Sequence, residues 1–467
     1  MKTLYTNIAH LATFEDNGPK GAGREMRDAA VLVEDRVIAW VGSAKDAPQA
    51  DRIVDLAGHI VMPGMVNTHH HMYQNLTRVM VQDDELFVWL KTLYPIWGKL
   101  DDYAIRTSSQ MAMAELLASG CTTTSDHLYI MPNNVRLDTA IEVAQEMGMR
   151  FHAARGAMSR GESKGGLPPD HCVEEEDAIL ADAERLIGRY HDMDDHAMTR
   201  IVMAPCSPFS VTPQLMKDAA ALARSHTGVK LHSHIAEVLD EELYCQSIYG
   251  MRSVAFAESV GWLGEDVWFA HAIFLNDCEI KLFADTGTGA TFCPSAHMRC
   301  GLGIMRAREM LDAGVTVGLG VDGSASNDTS NMFLEARLAQ LLQRVAPAKY
   351  LSEAPGGRGG FGGTPTALSA REALWMATRG GAKILGRPDI GQIAVGKSAD
   401  FIAVKLNQLG LAGTQRDPLA ALVMCGPFKT DLSVINGKHV IEKGEFVSFD
   451  LDRALHDHAQ TMDRIYA

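Results

Sequence analysis

The 467-residue chain has no uninterrupted apolar run close to the roughly 20 residues that a membrane-spanning helix needs, so no membrane partner is expected. It also has little positive charge. Its 43 lysines and arginines stand against 58 aspartates and glutamates, a formal charge of −15, and no Lys/Arg cluster could track a phosphate backbone. A nucleic-acid partner is therefore not expected. Met1 to Ala12 carries one lysine and a broken apolar pattern in place of the apolar core of a secretory leader, which makes the cytoplasm the expected compartment. The eight cysteines include no Cys-x-x-Cys pair. Most are expected to be small buried hydrophobes rather than disulfides. A zinc-holding Pro-Cys-x-x-Cys pair is missing too, since Pro205-Cys206 is followed by Ser207, Pro208 and Phe209.

What is present is ordinary globular material, with 46% hydrophobic and 22% charged residues. The length exceeds a typical single core and predicts one large domain with a smaller one. Both ends read as short strands with tight turns. Near the start are Thr3 to Leu11, then Ala30 to Glu34 and Val37 to Val41 around Asp35-Arg36. Near the end are Ala399 to Val404, then Leu432 to Ile435 and His439 to Glu442 around Asn436-Gly437, a good hairpin signal. The two ends are expected to build one small discontinuous β-sandwich from residues 1–58 and 390–450, with a C-terminal helical tail at 451–467.

Between them, apolar runs alternate with amphipathic helical stretches. The runs are Ile60 to Val66, Thr122 to Asp126, Met149 to Ala154, Arg200 to Ala204, Val229 to His232, Val267 to Ala270, Gly289 to Cys293 and Val315 to Val321. Eight such runs predict an α/β fold, a (β/α)₈ TIM-like barrel over residues 59–389, in preference to a doubly wound sheet. Pro355 to Pro365, rich in glycine, reads as a flexible loop.

In such barrels the chemistry sits just past the C-terminal ends of the strands. The first run leads into His69-His70-His71, where strand alternation sends His69 and His71 to one face and His70 to the other. Two imidazoles on one face can grip one cation. The fifth run leads into His232-Ser233-His234-Ile235-Ala236-Glu237, where alternation alone leaves either histidine as the ligand and Glu237 is suited to proton transfer. The sixth ends at His271, and the eighth at Asp322 between Val321 and Gly323. Asp322 offers an anionic ligand oxygen and a base beside a metal-held water. Binuclear barrel hydrolases bridge their ions with a modified lysine at the end of the fourth strand. Here that stretch is Met203-Ala204-Pro205-Cys206-Ser207, without lysine, so one ion is expected.

His-x-His, His-x-x-Glu, a single histidine and an aspartate, in that order, resemble the amidohydrolase superfamily in its branch of mononuclear aminohydrolases. The resemblance implies that His69, His71, His234 and Asp322 hold one divalent ion, Zn²⁺ foremost with Fe²⁺ as the alternative. It further implies that Glu237 shuttles protons, that His271 orients water or substrate, and that Gln74 hydrogen-bonds the substrate. Within the branch, the Asn67 to Gln74, Trp89 to Pro95, Arg155 to Ser159, Gly165 to Pro169 and Ala204 to Val211 stretches are similar to 8-oxoguanine deaminases. The implied reaction is hydrolytic deamination of an amino-substituted oxo-heterocycle, 8-oxoguanine to urate, with isocytosine, isoxanthopterin, guanine or a hydroxytriazine as alternatives.

One departure is Cys293-Pro294-Ser295-Ala296-His297, where asparagine is usual at the last position. Arg155 is a second candidate for substrate contact, because a guanidinium suits a carbonyl-rich ring. Tyr129 and Trp97 fit the core as readily as the pocket. Two other readings are a binuclear cyclic-amide hydrolase, which needs the missing lysine, and a barrel scaffold without chemistry, which would have lost several of these residues. A homodimer is the expected assembly.

Overall fold

A computed structural model describes residues 1–15, 18–346 and 364–467. Most of Pro355 to Pro365 lies outside the described residues. The central element is a closed barrel of eight parallel strands. In chain order they are β1 (Met65–Asn67), β2 (Cys121–Leu128), β3 (Arg150–Ala157), β4 (Thr199–Pro205), β5 (Lys230–Ile235), β6 (Val267–His271), β7 (Gly289–Phe292) and β8 (Val317–Leu319). β8 closes on β1 through Leu319 and Asn67. β2 and β3 are buried over their whole length, as parallel strands covered on both faces require.

The first apolar run is not one strand. His59–Pro63 pairs antiparallel with Phe401–Lys405 of the C-terminal end, and only Met65–Asn67 enters the barrel. Gly64 marks the switch, for a Cβ there would fall 2.1 Å from the Thr122 hydroxyl of the adjacent β2. An unbroken apolar sequence cannot register such a change of sheet, because both halves are buried.

The chain ends form a four-stranded and a seven-stranded sheet. They share a core of Tyr5, Ile8, Val31, Val61, Phe401 and Val434. The predicted hairpin is present between Leu432–Ile435 and Lys438–Glu442, with both turn residues, Asn436 and Gly437, at positive φ. This unit is pinned to the barrel by a buried ion pair in which Arg150 of β3 donates to both oxygens of Asp400, at 2.8 and 3.0 Å.

The C-terminal helix Leu451–Tyr466 lies on the helix Asp102–Ala118 and reaches the turn Met72–Thr77 that follows β1. Tyr466 donates to the Leu76 carbonyl at 2.8 Å, and His458 meets Asn75 Oδ1 at 2.8 Å. The tail thus braces the turn that carries Gln74. Among the described residues no helix is long and apolar enough to cross a membrane.

Candidate active site

Past β1 the backbone makes a short parallel bridge, His70–His71 with Asp322–Gly323, which brings the ends of β1 and β8 together. Asn67 Oδ1 accepts the Val321 amide at 2.9 Å and fixes the register. His70 turns away to Ser330, 3.1 Å from its Nε2, while His69 and His71 face the barrel mouth. A Cβ at position 323 would lie 1.7 Å from Gln74 Oε1, so only glycine lets the β8 end pass this close.

The hydrogen bonds of three imidazoles define their tautomers. His71 Nδ1 donates to the His127 carbonyl at 2.7 Å, and His234 Nδ1 donates to the Cys206 carbonyl at 2.7 Å. A carbonyl oxygen only accepts, so each ring carries its proton on Nδ1 and leaves Nε2 as a lone pair. His232 Nδ1 donates to the Trp268 carbonyl at 3.1 Å, and its Nε2 must then accept from His69 Nδ1 at 2.8 Å. His69 Nε2 is left bare, buried and without a hydrogen-bond partner.

These lone pairs converge. His71 Nε2 and His234 Nε2 are 3.1 Å apart, and Asp322 Oδ1 is 3.2 Å from His69 Nε2 and 3.5 Å from His71 Nε2. Lone pairs crowded to 3 Å repel unless a cation lies among them. Burial lowers the pKa of all three rings, His234 to about 4, and keeps them neutral as ligands require. Burial raises Asp322, but the adjacent His69, His271 and His71 rings outweigh it and hold the carboxyl well below its usual range. The cluster has the donor chemistry of a divalent-metal site.

Beside it, Glu237 Oε1 lies 3.4 Å from His271 Nε2. Burial, with Asp322 and Glu241 nearby, pushes the Glu237 carboxyl well above its ordinary value, which favours its protonated form. Glu241 accepts the backbone amides of Ala236 and Glu237 at 2.8 and 3.0 Å and so shapes the turn that aims Glu237. Ala236, His271 and Asp322 all have positive φ, a left-handed backbone costing about 1–3 kcal/mol at each non-glycine position, and all stand at strand ends around this point.

The pocket above the cluster has Gln74, Trp89, Tyr94, Tyr129, Phe209 and Leu302 among its walls. Gln74 Oε1 is buried there without a partner. Arg155 is not in this wall. Its guanidinium bonds Glu174 and Asp182 on the outer side of β3, so the expected substrate contact is corrected to a structural ion-pair cluster. A residue six places into a fully buried strand can face either layer, and the sequence held no sign of which. Trp97 is core, donating to Thr77 Oγ1 at 3.1 Å.

Three participants escaped the sequence reading. His127 at the end of β2 packs against His69, His71, His232 and His234. Its place just past an apolar run was the available signal. Glu241 and Ser326 had none, because a carboxylate and a hydroxyl on connecting segments are common. Of the eight cysteines, five are buried, Cys300 is partly buried at the pocket wall, and Cys278 and Cys425 are exposed.

A closed parallel barrel with a histidine and aspartate cluster at its mouth defines a class, and residues 60–440 match the amidohydrolase family: the chain belongs to it. It is accordingly a hydrolytic enzyme, of the aminohydrolase type. It is 43% identical over 463 residues to the 8-oxoguanine deaminase of Pseudomonas aeruginosa, covering 98% of both chains. To the hydroxydechloroatrazine ethylaminohydrolase of a Pseudomonas species it is 36% identical, covering 96% of this chain and 92% of that one. Among solved structures it is similar to atrazine chlorohydrolase from Arthrobacter aurescens TC1 complexed with zinc, at TM-score 0.89 and 33% identity, with 98% of this chain and all of that chain covered.

Proposed function

We propose that this chain is a mononuclear, zinc-dependent deaminase that converts 8-oxoguanine and water to urate and ammonia in the cytoplasm. The observation that carries the reading is the convergence of three Nε2 atoms, left bare by the bonds of their Nδ1 partners, and Asp322 Oδ1 on one point beside Glu237. His69, His71, His234 and Asp322 would hold the ion. Bound there, a divalent cation supplies the Lewis acidity that makes water acidic near neutral pH. The missing lysine at the end of β4 supports one ion over two.

The protein's own residues divide the proton traffic. Asp322, ionised, takes a proton from the attacking water. Glu237, protonated, gives its proton to the ring nitrogen next to the amine-bearing carbon, which draws electrons from that carbon as the oxygen adds. The amine then leaves as ammonia with the proton that Asp322 took from water, and as the C–N bond breaks the added hydroxyl becomes the carbonyl and returns its proton to Glu237. Gln74 Oε1, buried and unpartnered, offers an acceptor for a ring N–H, and leaving such a group unmatched costs about 1–3 kcal/mol.

The substrate rests on the 43% identity spanning nearly the whole of both chains. An ammonia-release screen over 8-oxoguanine, guanine, isocytosine, isoxanthopterin and hydroxylated aminotriazines tests it. The largest kcat/KM is expected for 8-oxoguanine. A tenfold larger value for any other compound replaces the substrate and leaves the reaction type standing.

A further inference from the structure

His297 stands on the short helix Pro294–Arg299 behind the pocket and is fully buried, outside the pocket wall. Its Nε2 is 3.2 Å from His271 Nδ1, and its own Nδ1 is buried with no partner. The three rings of the cation cluster are each set, directly or through His232, by a backbone carbonyl that forces the proton onto Nδ1. Among the described residues no carbonyl plays that role for His271. Its Nδ1 faces another imidazole, so its tautomer depends on where His297 keeps its single proton.

We infer that His297 is a positioning residue that fixes His271 as the opposite tautomer, protonated on Nε2, a hydrogen-bond donor facing Glu237 and the reacting oxygen rather than a fourth imidazole ligand. A neutral His297 has two choices. With its proton on Nδ1 it buries an N–H that no group accepts, the rarest and costliest kind of orphan. With its proton on Nε2 it donates to His271 Nδ1 and buries only an unused lone pair. The second arrangement leaves His271 Nδ1 as acceptor and puts the His271 proton on Nε2, 3.4 Å from Glu237 Oε1. Burial lowers His297 to about 3, so it carries a single proton near pH 7.

The kinetic part of this inference rests on the deaminase reading, whereas the tautomer does not. The direct test is a long-range ¹H–¹⁵N correlation spectrum of the zinc-loaded, histidine-labelled protein, with His271 identified by its loss in His271→Gln. The expected result is a His271 ring protonated at Nε2 with Nδ1 bare. A His271 ring protonated at Nδ1, or with Nε2 shifted as a zinc ligand, overturns it whatever the substrate proves to be. In kinetics, His297→Gln, whose amide N–H reaches the Nε2 position, is expected to keep kcat within about threefold. His297→Leu is expected to lose about 10- to 100-fold in kcat with KM and zinc content unchanged. An unchanged kcat in His297→Leu, a change confined to KM, or an equal loss in both variants contradicts the positioning role.

Discussion

Ser326 Oγ donates to Asp322 Oδ2 at 2.7 Å, which leaves Asp322 Oδ1 to face His69 and His71. One carboxylate is thereby split between an anchor and a working oxygen, and its rotation about the Cβ–Cγ bond is blocked. Removing the hydroxyl frees that rotation. Ser326→Ala is expected to weaken zinc affinity about 10- to 100-fold, read by chelator competition, with the melting temperature little changed. Unaltered affinity would show that the turn alone holds Asp322.

Burial and its acidic neighbours favour the protonated form of Glu237, and proton transfer is the role that state serves. Glu237→Gln keeps the shape and removes the transferable proton. The expected loss in kcat is about 10²- to 10⁴-fold, with zinc content at wild-type level. Normal turnover in a zinc-replete variant would remove Glu237 from the proton path.

Arg155 bonds Glu174 at 2.7 and 3.0 Å and Asp182 at 2.7 Å while almost fully buried. Arg155→Met should therefore cost stability and spare substrate binding. The expected loss is about 2 kcal/mol, below the usual 3–5 for a broken buried pair because both carboxylates retain contact with water. A raised KM with an unchanged denaturant midpoint would restore Arg155 to the pocket.

The buried ionisable groups give the metal-free protein a definite pH dependence. His234 at about 4, with His70 and His297 at about 3, sit below their unfolded value of 6.5, so between these limits the unfolded chain binds more protons. Their contribution is present above pH 6.5 and is lost as pH falls. Asp126, Glu241 and Glu335, each raised to about 7 by burial, act in the opposite sense, favouring the folded state below their unfolded values and losing that as pH rises to 7. The histidines dominate, because His69, His71, His127, His152, His232 and His271 are lowered as well, while among the described residues only Glu237 joins the raised carboxyls. The melting temperature of the metal-free protein is expected to fall between pH 7 and pH 5. A rise over that interval contradicts the balance.

Much of this architecture was legible because parallel strands announce themselves as short apolar runs and the site residues stand directly after them. His69, His71, His234, His271 and Asp322 each follow or end a barrel strand, and the structure brings all five together. The choice between His232 and His234 was not available from alternation, since both sit on the same face. The two differ at Nε2, where His232 meets His69 Nδ1 and His234 faces His71 Nε2, and those partners lie far away in sequence. Arg155 and the division of Ile60 to Val66 between two sheets failed for a related reason. A segment buried on both sides carries no polarity pattern to say which neighbour it faces.

The central claim is that catalysis depends on one cation held by three neutral imidazoles and Asp322. It is tested most directly by ammonia release from 8-oxoguanine in a chelator-treated sample shown by circular dichroism to be folded, followed by zinc titration. The account predicts no turnover before zinc and full recovery at one equivalent per chain. Substantial turnover in the folded, metal-depleted sample, or recovery only at two equivalents, would contradict it.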